Sequence, residues 1–189
     1  PDDITSCDAL VMSAYSLIGG LQREYAVKAL DIAKRAGLTT FIDMGSGAVN
    51  ALQDRLISLT QDFDYLLMNQ KELLTLTGAT SISEAVNGLA HEGIKRVIVK
   101  VGEKGSLVIT PEVTELIEAY EIDGVVDSTG AGDYYTAAFA HGIMEGYDLR
   151  EAARLGNIAG ALNTVQVGAQ KSDLSVEILE HYAKELTTA

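Results

Sequence analysis

The residues best suited to chemistry lie in one run, Asp127-Ser128-Thr129-Gly130-Ala131-Gly132-Asp133-Tyr134-Tyr135, between an apolar, strand-like stretch and a long apolar segment of helical character. Glycines at the mouth of a helix let a ligand approach the backbone without meeting a Cβ. The first N–H groups of a helix lack intrahelical partners and sit at the positive end of its dipole. Gly130, Ala131, Gly132 and Asp133 can therefore form an anion hole that needs no Lys or Arg. A carboxylate in that turn repels phosphate, which is a poor choice for binding alone. Asp133 makes sense there as a general base, taking the proton from a hydroxyl that attacks phosphorus. The plainer alternative is that Asp133 caps its helix and the glycines only turn the chain.

Two further clusters lie upstream. Asn69-Gln70-Lys71-Glu72 stands where a strand gives way to a short helix. On its residues alone it reads as a capping pattern, with Asn69 at the N-cap and Glu72 at the third helical position. Lys100-Val101-Gly102-Glu103-Lys104-Gly105 is a strand end, loop and turn, which on its residues alone reads as a hairpin with a convenient glycine. Asp43-Met44-Gly45-Ser46-Gly47 hints at a dinucleotide fingerprint, and hence a dehydrogenase, but Asn50 occupies the third glycine position. No Gly-x-x-x-x-Gly-Lys-Ser/Thr loop is present. His91, His141 and His181 fall on separate predicted helices, which favours packing over metal ligation.

These groups must be held by an alternation of strands and helices. The pattern predicts strands at Ala9–Ala14, Leu38–Met44, Tyr65–Met68, Val97–Val101, Leu107–Thr110 and Glu115–Ile122. It predicts a helix over Gln22–Ala36, with Tyr25, Leu30 and Ala33 at helical spacing and Gly37 as its stop. An amphipathic helix is expected over Val49–Thr60, with Leu52, Leu56 and Leu59 on one face. Gln70–Thr77 reads as a short helix stopped by Gly78, and Ser81 with Glu84 as a capping box opening the next helix. From Ala131 onward the chain reads as three helices, broken near Gly146 and around Gly168–Ser172. Strands alternating with helices imply βαβ units, a parallel sheet and one α/β domain over residues 1–189.

Bulk properties narrow the function. A net charge of −13, with no basic stretch, argues against nucleic acid and anionic membranes as partners. No apolar run approaches the ~18 residues of a membrane span, and the opening Pro1-Asp2-Asp3 does not read as a signal peptide. The one cysteine, Cys7, permits no disulfide within the chain, so a reducing cytoplasm is the natural compartment. Cys7 is expected to be a small buried residue at a strand edge. The acidic residues of Glu112–Glu121 are expected on a solvated strand face.

The run at Asp127–Tyr135 closely resembles the Asp-Thr-x-Gly-Ala-Gly-Asp-x-Phe signature of the ribokinase (PfkB) family, with Ser128 for the common Thr and Tyr135 for Phe. Asn69 and Glu72 match its Asn-x-x-Glu motif, and Lys100–Gly105 its nucleotide-flanking strand and loop, in the family's order. The resemblance implies a ribokinase-like layered α/β/α fold with a mostly parallel sheet. It implies an ATP-dependent kinase that phosphorylates a hydroxyl of a sugar or nucleoside, with Asp133 as base. Asn69 and Glu72 would organise Mg²⁺ and phosphate through water. Lys100, Gly102, Gly105, Thr129 and Asn157 would adjoin the nucleotide, Asn157 near the adenine, although a solvated or capping role for Asn157 stays open. A monovalent cation such as K⁺ would sit among Asp127, Thr129, Asn163, Gln166, Gly168 and Ser172, in a region that departs from the family at Lys171 and Asp173. The resemblance covers only the C-terminal part of a family member, which implies a fragment lacking the N-terminal strands and the lid, through which a homodimer would form. A non-catalytic nucleotide-binding module is the reading of another class.

Overall fold

Strands covered on both faces read as continuous apolar runs rather than alternating ones. The computed structural model, which describes residues 2–169 and 174–188, bears this out. The chain forms two compact units, Pro1–Lys100 with Ile109–Thr114, and Val101–Val108 with Glu115–Ala189.

The first unit runs α1 (Asp2–Thr5), β1 (Ala9–Ser13), α2 (Gly20–Ala36), β2 (Thr39–Asp43), α3 (Ser46–Leu52), α4 (Asp54–Thr60), β3 (Tyr65–Asn69), α5 (Gln70–Thr77), α6 (Ile82–His91) and β4 (Val97–Lys100). β1 to β4 are parallel neighbours in chain order, each joined to the next through helix. Phe41, Ile42, Leu66, Leu67, Met68, Val97, Ile98 and Val99 are buried and form the centre of the core. β1 is half-buried, as an edge strand is. Among the described residues the sheet has six strands in the order β1 to β6, with β5 at Ser106–Ile109 and β6 at Thr114–Ile117.

In the second unit α7 (Ala131–Met144), α8 (Leu149–Asn163) and α9 (Val176–Thr188) follow β6. α7 and α8 approach closely through small residues. A Cβ on Gly142 would lie 3.1 Å from Ala152 Cα, one on Gly156 2.8 Å from the Tyr135 ring, and one on Gly160 3.3 Å from Ala131 O. These contacts fix the first turn of α7 against α8. The Tyr135 hydroxyl donates to Ser106 Oγ at 2.8 Å, and burial holds its pKa well above the ordinary phenol range.

Several sequence expectations are corrected. The helix expected over Val49–Thr60 is two helices, broken at Gln53, which takes φ 46°. The break lets Leu52, Leu56 and Thr60 all be buried, and Thr60 Oγ1 donates to Leu56 O at 2.8 Å. Tyr25 points outward, and α2 packs through Ala26 and Ala33 instead. Cys7 is exposed, in a turn after α1 where its Sγ reaches Asp3 O at 3.2 Å. The capping box at Ser81 is half formed: Ser81 accepts from Glu84 N, while the Glu84 carboxylate turns to Thr80. The last strand stops at Ile117, and the stretch before Asp127 is not a strand. Val126 N and Asp127 N both donate to Thr164 O, so that segment is tied to the end of α8 rather than to a ladder. The acidic strand is not simply solvated, because Glu115 pairs with the Arg150 guanidinium, Nε to Oε1 2.8 Å.

Candidate functional site

The Asp127–Asp133 turn opens α7 in the second unit. Gly130 is the N-cap in the left-handed conformation, φ 85° and ψ −11°, which favours glycine. A Cβ there would also stand 2.8 Å from Ala169 O. The N-cap itself is a glycine with no side chain to offer, and the helix begins with its backbone N–H groups directed to the mouth of the turn, the arrangement that suits an anion. Asp133 is the third helical residue and is exposed. The capping alternative for Asp133 is thereby removed, because its carboxylate takes no part in the cap.

Asp127 holds the approach to this turn. Its Oδ1 accepts from Thr129 N at 2.9 Å and Thr129 Oγ1 at 2.7 Å, and its Oδ2 accepts from Gly168 N at 2.8 Å. Asn163 donates from Nδ2 to Thr129 O at 2.8 Å, and its Oδ1 is buried. Two loops are thus cross-tied, and they bring carboxylate, hydroxyl and main-chain oxygens together. That chemistry fits a weakly bound cation. Gln166 is exposed and Gly168 half-buried in the same loop, while Ser172 lies outside the described residues.

The first unit carries its own polar edge, at the carboxyl ends of its parallel strands. Asn69 and Glu72 form a complete capping box on α5: Glu72 N donates to Asn69 Oδ1 and Asn69 N to Glu72 Oε2, both at 2.9 Å. Glu72 is 6% exposed, and its Oε1 accepts from Ser46 Oγ at 2.9 Å. Both carboxylate oxygens are engaged, so the pair fits a cation reached through water better than one bound directly. Lys100 Nζ lies 2.7 Å from Asp43 Oδ2. The Gly45–Gly47 loop seats the Tyr15 ring, from which a Cβ on Gly45 would stand 2.6 Å and one on Gly47 2.5 Å. Gly47 N donates to the Tyr15 hydroxyl at 3.1 Å. Those glycines make room for a tyrosine and not for a pyrophosphate, which disposes of the dinucleotide reading.

In the second unit Gly102 and Gly105 close a short turn: Val101 N donates to Gly105 O and Gly105 N to Gly102 O, each at 2.9 Å. Asn157 is buried in α8, and its Nδ2 donates to Ile117 O and Glu118 O, both at 3.0 Å. It is neither solvated nor a cap; it pins the end of β6 to α8. Asn157→Ala is expected to cost about 1–3 kcal/mol, the usual result of stripping buried acceptors of their donor. A denaturant midpoint unchanged from the parent chain would remove that role.

A pfkB family carbohydrate kinase pattern matches residues 2–176. The chain belongs to the pfkB carbohydrate kinase family. It is 29% identical over 180 residues to ribokinase of Staphylococcus aureus (strain COL), covering 91% of this chain and 57% of that protein. It is 34% identical over 180 residues to ribokinase of Arabidopsis thaliana, covering 88% of this chain and 46% of that protein. Adenosine kinase from Sinorhizobium meliloti superposes with a TM-score of 0.88 at 26% identity, over 98% of this chain and 56% of that one. The chain therefore spans about half the length of these relatives.

Among the residues of this pfkB-family chain singled out from sequence, the structure groups Asn69, Glu72 and Lys100 in the first unit, and the others that lie among the described residues in the second. Sequence reasoning gave Asp43 and Ser46 no assigned role, yet each contacts a residue it had named. The available signal was an acidic residue ending an apolar strand, followed by a glycine-rich turn. Among the described residues no cluster of His, Cys, Asp and Glu could hold a metal unaided, and no helix is long and apolar enough to cross a membrane.

Proposed function

We propose that this chain is the nucleotide-binding and catalytic portion of an ATP-dependent kinase that transfers the γ-phosphate to a hydroxyl of a sugar or nucleoside. One observation carries the reading most: a helix N-terminus led by the left-handed Gly130, with an exposed carboxylate, Asp133, in its first turn. Asp133 orients the acceptor hydroxyl and takes its proton, while the N–H groups of Gly130 to Asp133 stabilise charge on the transferring phosphoryl group. Asn69 and Glu72 would hold a hydrated Mg²⁺, which would supply charge neutralisation to the nucleotide phosphates. Lys100 and the turn of Gly102 and Gly105 flank the nucleotide. Asp127, Thr129, Asn163, Gln166 and Gly168 would hold a monovalent cation, whose charge would steady the Gly130 turn. Relatives named ribokinase and adenosine kinase leave both acceptor classes in the reading.

The acceptor-holding residues belong, on this reading, to the part of the relatives that the chain does not span. The isolated chain is therefore expected to bind ADP with Mg²⁺ weakly and to phosphorylate nothing. Proximity and orientation contribute about 7–11 kcal/mol to a two-substrate reaction, enough to take turnover below detection when lost. Calorimetry with ADP and a coupled assay with ribose, fructose and adenosine check both halves. A folded chain without nucleotide binding would count against the site, and robust phosphorylation by the chain alone would count against the division of labour.

A further inference from the structure

The Asp43–Lys100 pair asks for an explanation that stability does not supply. Asp43 ends β2 and pairs in register with Leu67, whereas Lys100 ends β4 and pairs with Asn69. β3 lies between them. Neighbouring strands are about 4.8 Å apart, so the Lys100 side chain must lie back across β3 to bring Nζ within 2.7 Å of Asp43 Oδ2. The two side chains are only 15% and 19% exposed. Desolvating such a pair offsets most of its attraction, and apolar residues of similar size would stabilise the core as well or better. The pair sits where parallel α/β sheets bind their ligands, at the carboxyl ends of the strands. It shares that edge with Ser46, Asn69 and Glu72.

We propose that Asp43 is a positioning residue, which fixes the Lys100 ammonium over the carboxyl end of β3 as a ready-made cation for a nucleotide phosphate. The inference rests on the kinase reading above. A lysine is a point charge on a flexible stem, and a stem already immobilised loses less freedom when the phosphate arrives. Asp43 acts through Lys100 and does not itself touch the nucleotide.

Exchanging the charges separates this role from a structural one. The double variant Asp43→Lys/Lys100→Asp keeps an ion pair but moves the cation from β4 to β2. It is expected to melt near the parent temperature and to bind Mg-ADP about tenfold or more weakly, as Lys100→Met does. Asp43→Asn is expected to weaken binding in the parent chain, Asp43→Glu to restore part of the loss, and Asp43→Asn to add nothing once Lys100 is Met. If the exchanged chain does not fold, Asp43→Leu/Lys100→Met takes its place, with the same loss expected. Parent-like affinity in either folded double variant, or a silent Asp43→Asn beside a damaging Lys100→Met, overturns the positioning role and leaves the kinase reading standing. A parent chain that binds no Mg-ADP removes both.

Discussion

Asp133→Asn, in a protein that contains this chain and has turnover, is expected to lower phosphoryl transfer by about 10²–10⁴-fold, the range typical of general-base catalysis. Nucleotide affinity is expected to stay within about threefold, because the helix N–H groups remain and amide and carboxylate have nearly the same shape. The geometry makes the substitution clean. Asp133 is exposed and takes no part in the cap, so losing its charge does not unfasten α7. Initial rates of ADP release, set beside calorimetric affinities, read the two quantities separately. Turnover within threefold of the parent would take Asp133 out of the base role.

The second large effect concerns folding. Gly105 has φ 100° and ψ −127°, and a Cβ on it would lie 2.1 Å from Ile117 O and 2.5 Å from Ala119 N. No flexible side-chain tip stands there to yield; the obstacles are backbone. Gly105→Val combines a strained conformation, about 1–3 kcal/mol, with overpacking of about 1–3 kcal/mol. Against a typical net stability of 5–15 kcal/mol, the variant is expected to lose on the order of 10 °C of melting temperature and much of its soluble yield. By contrast, a Cβ on Gly102 meets nothing within 4 Å, although its φ of 65° still disfavours a side chain. A melting temperature within two degrees of the parent for Gly105→Val would show that the backbone can move aside.

Much of this was legible in the sequence for local reasons. Buried strands announce themselves as apolar runs, and helix ends as Gly37 and Gly78, both of which take left-handed conformations. The Asp127–Asp133 turn reads from sequence because its chemistry is contiguous. What escaped depends on distant residues. Asp43 meets a lysine 57 positions away and Ser46 a glutamate 26 positions away, contacts that only the strand register creates. The break at Gln53 was hidden because both halves of the segment have helical periodicity; tertiary burial of Leu56 and Thr60 decides the turn. Cys7 was misplaced because its apolar character suggested a core, whereas the turn after α1 leaves it on the surface.

The capping box of α5 also links helix stability to whatever approaches Glu72. Each carboxylate oxygen already has a tenant, the Asn69 amide on one and the Ser46 hydroxyl on the other. An ion that took an oxygen directly would evict one of them and draw on the stability of the α5 entrance. One that came through its hydration shell would leave both in place. By thermodynamic reciprocity, whatever the ligand takes from the helix, the helix takes from the ligand's affinity. Amide hydrogen exchange at Asn69 therefore gauges the oxygen it holds: faster exchange on adding Mg-ADP marks eviction of that N–H from Glu72, and slower exchange marks a capping box left intact.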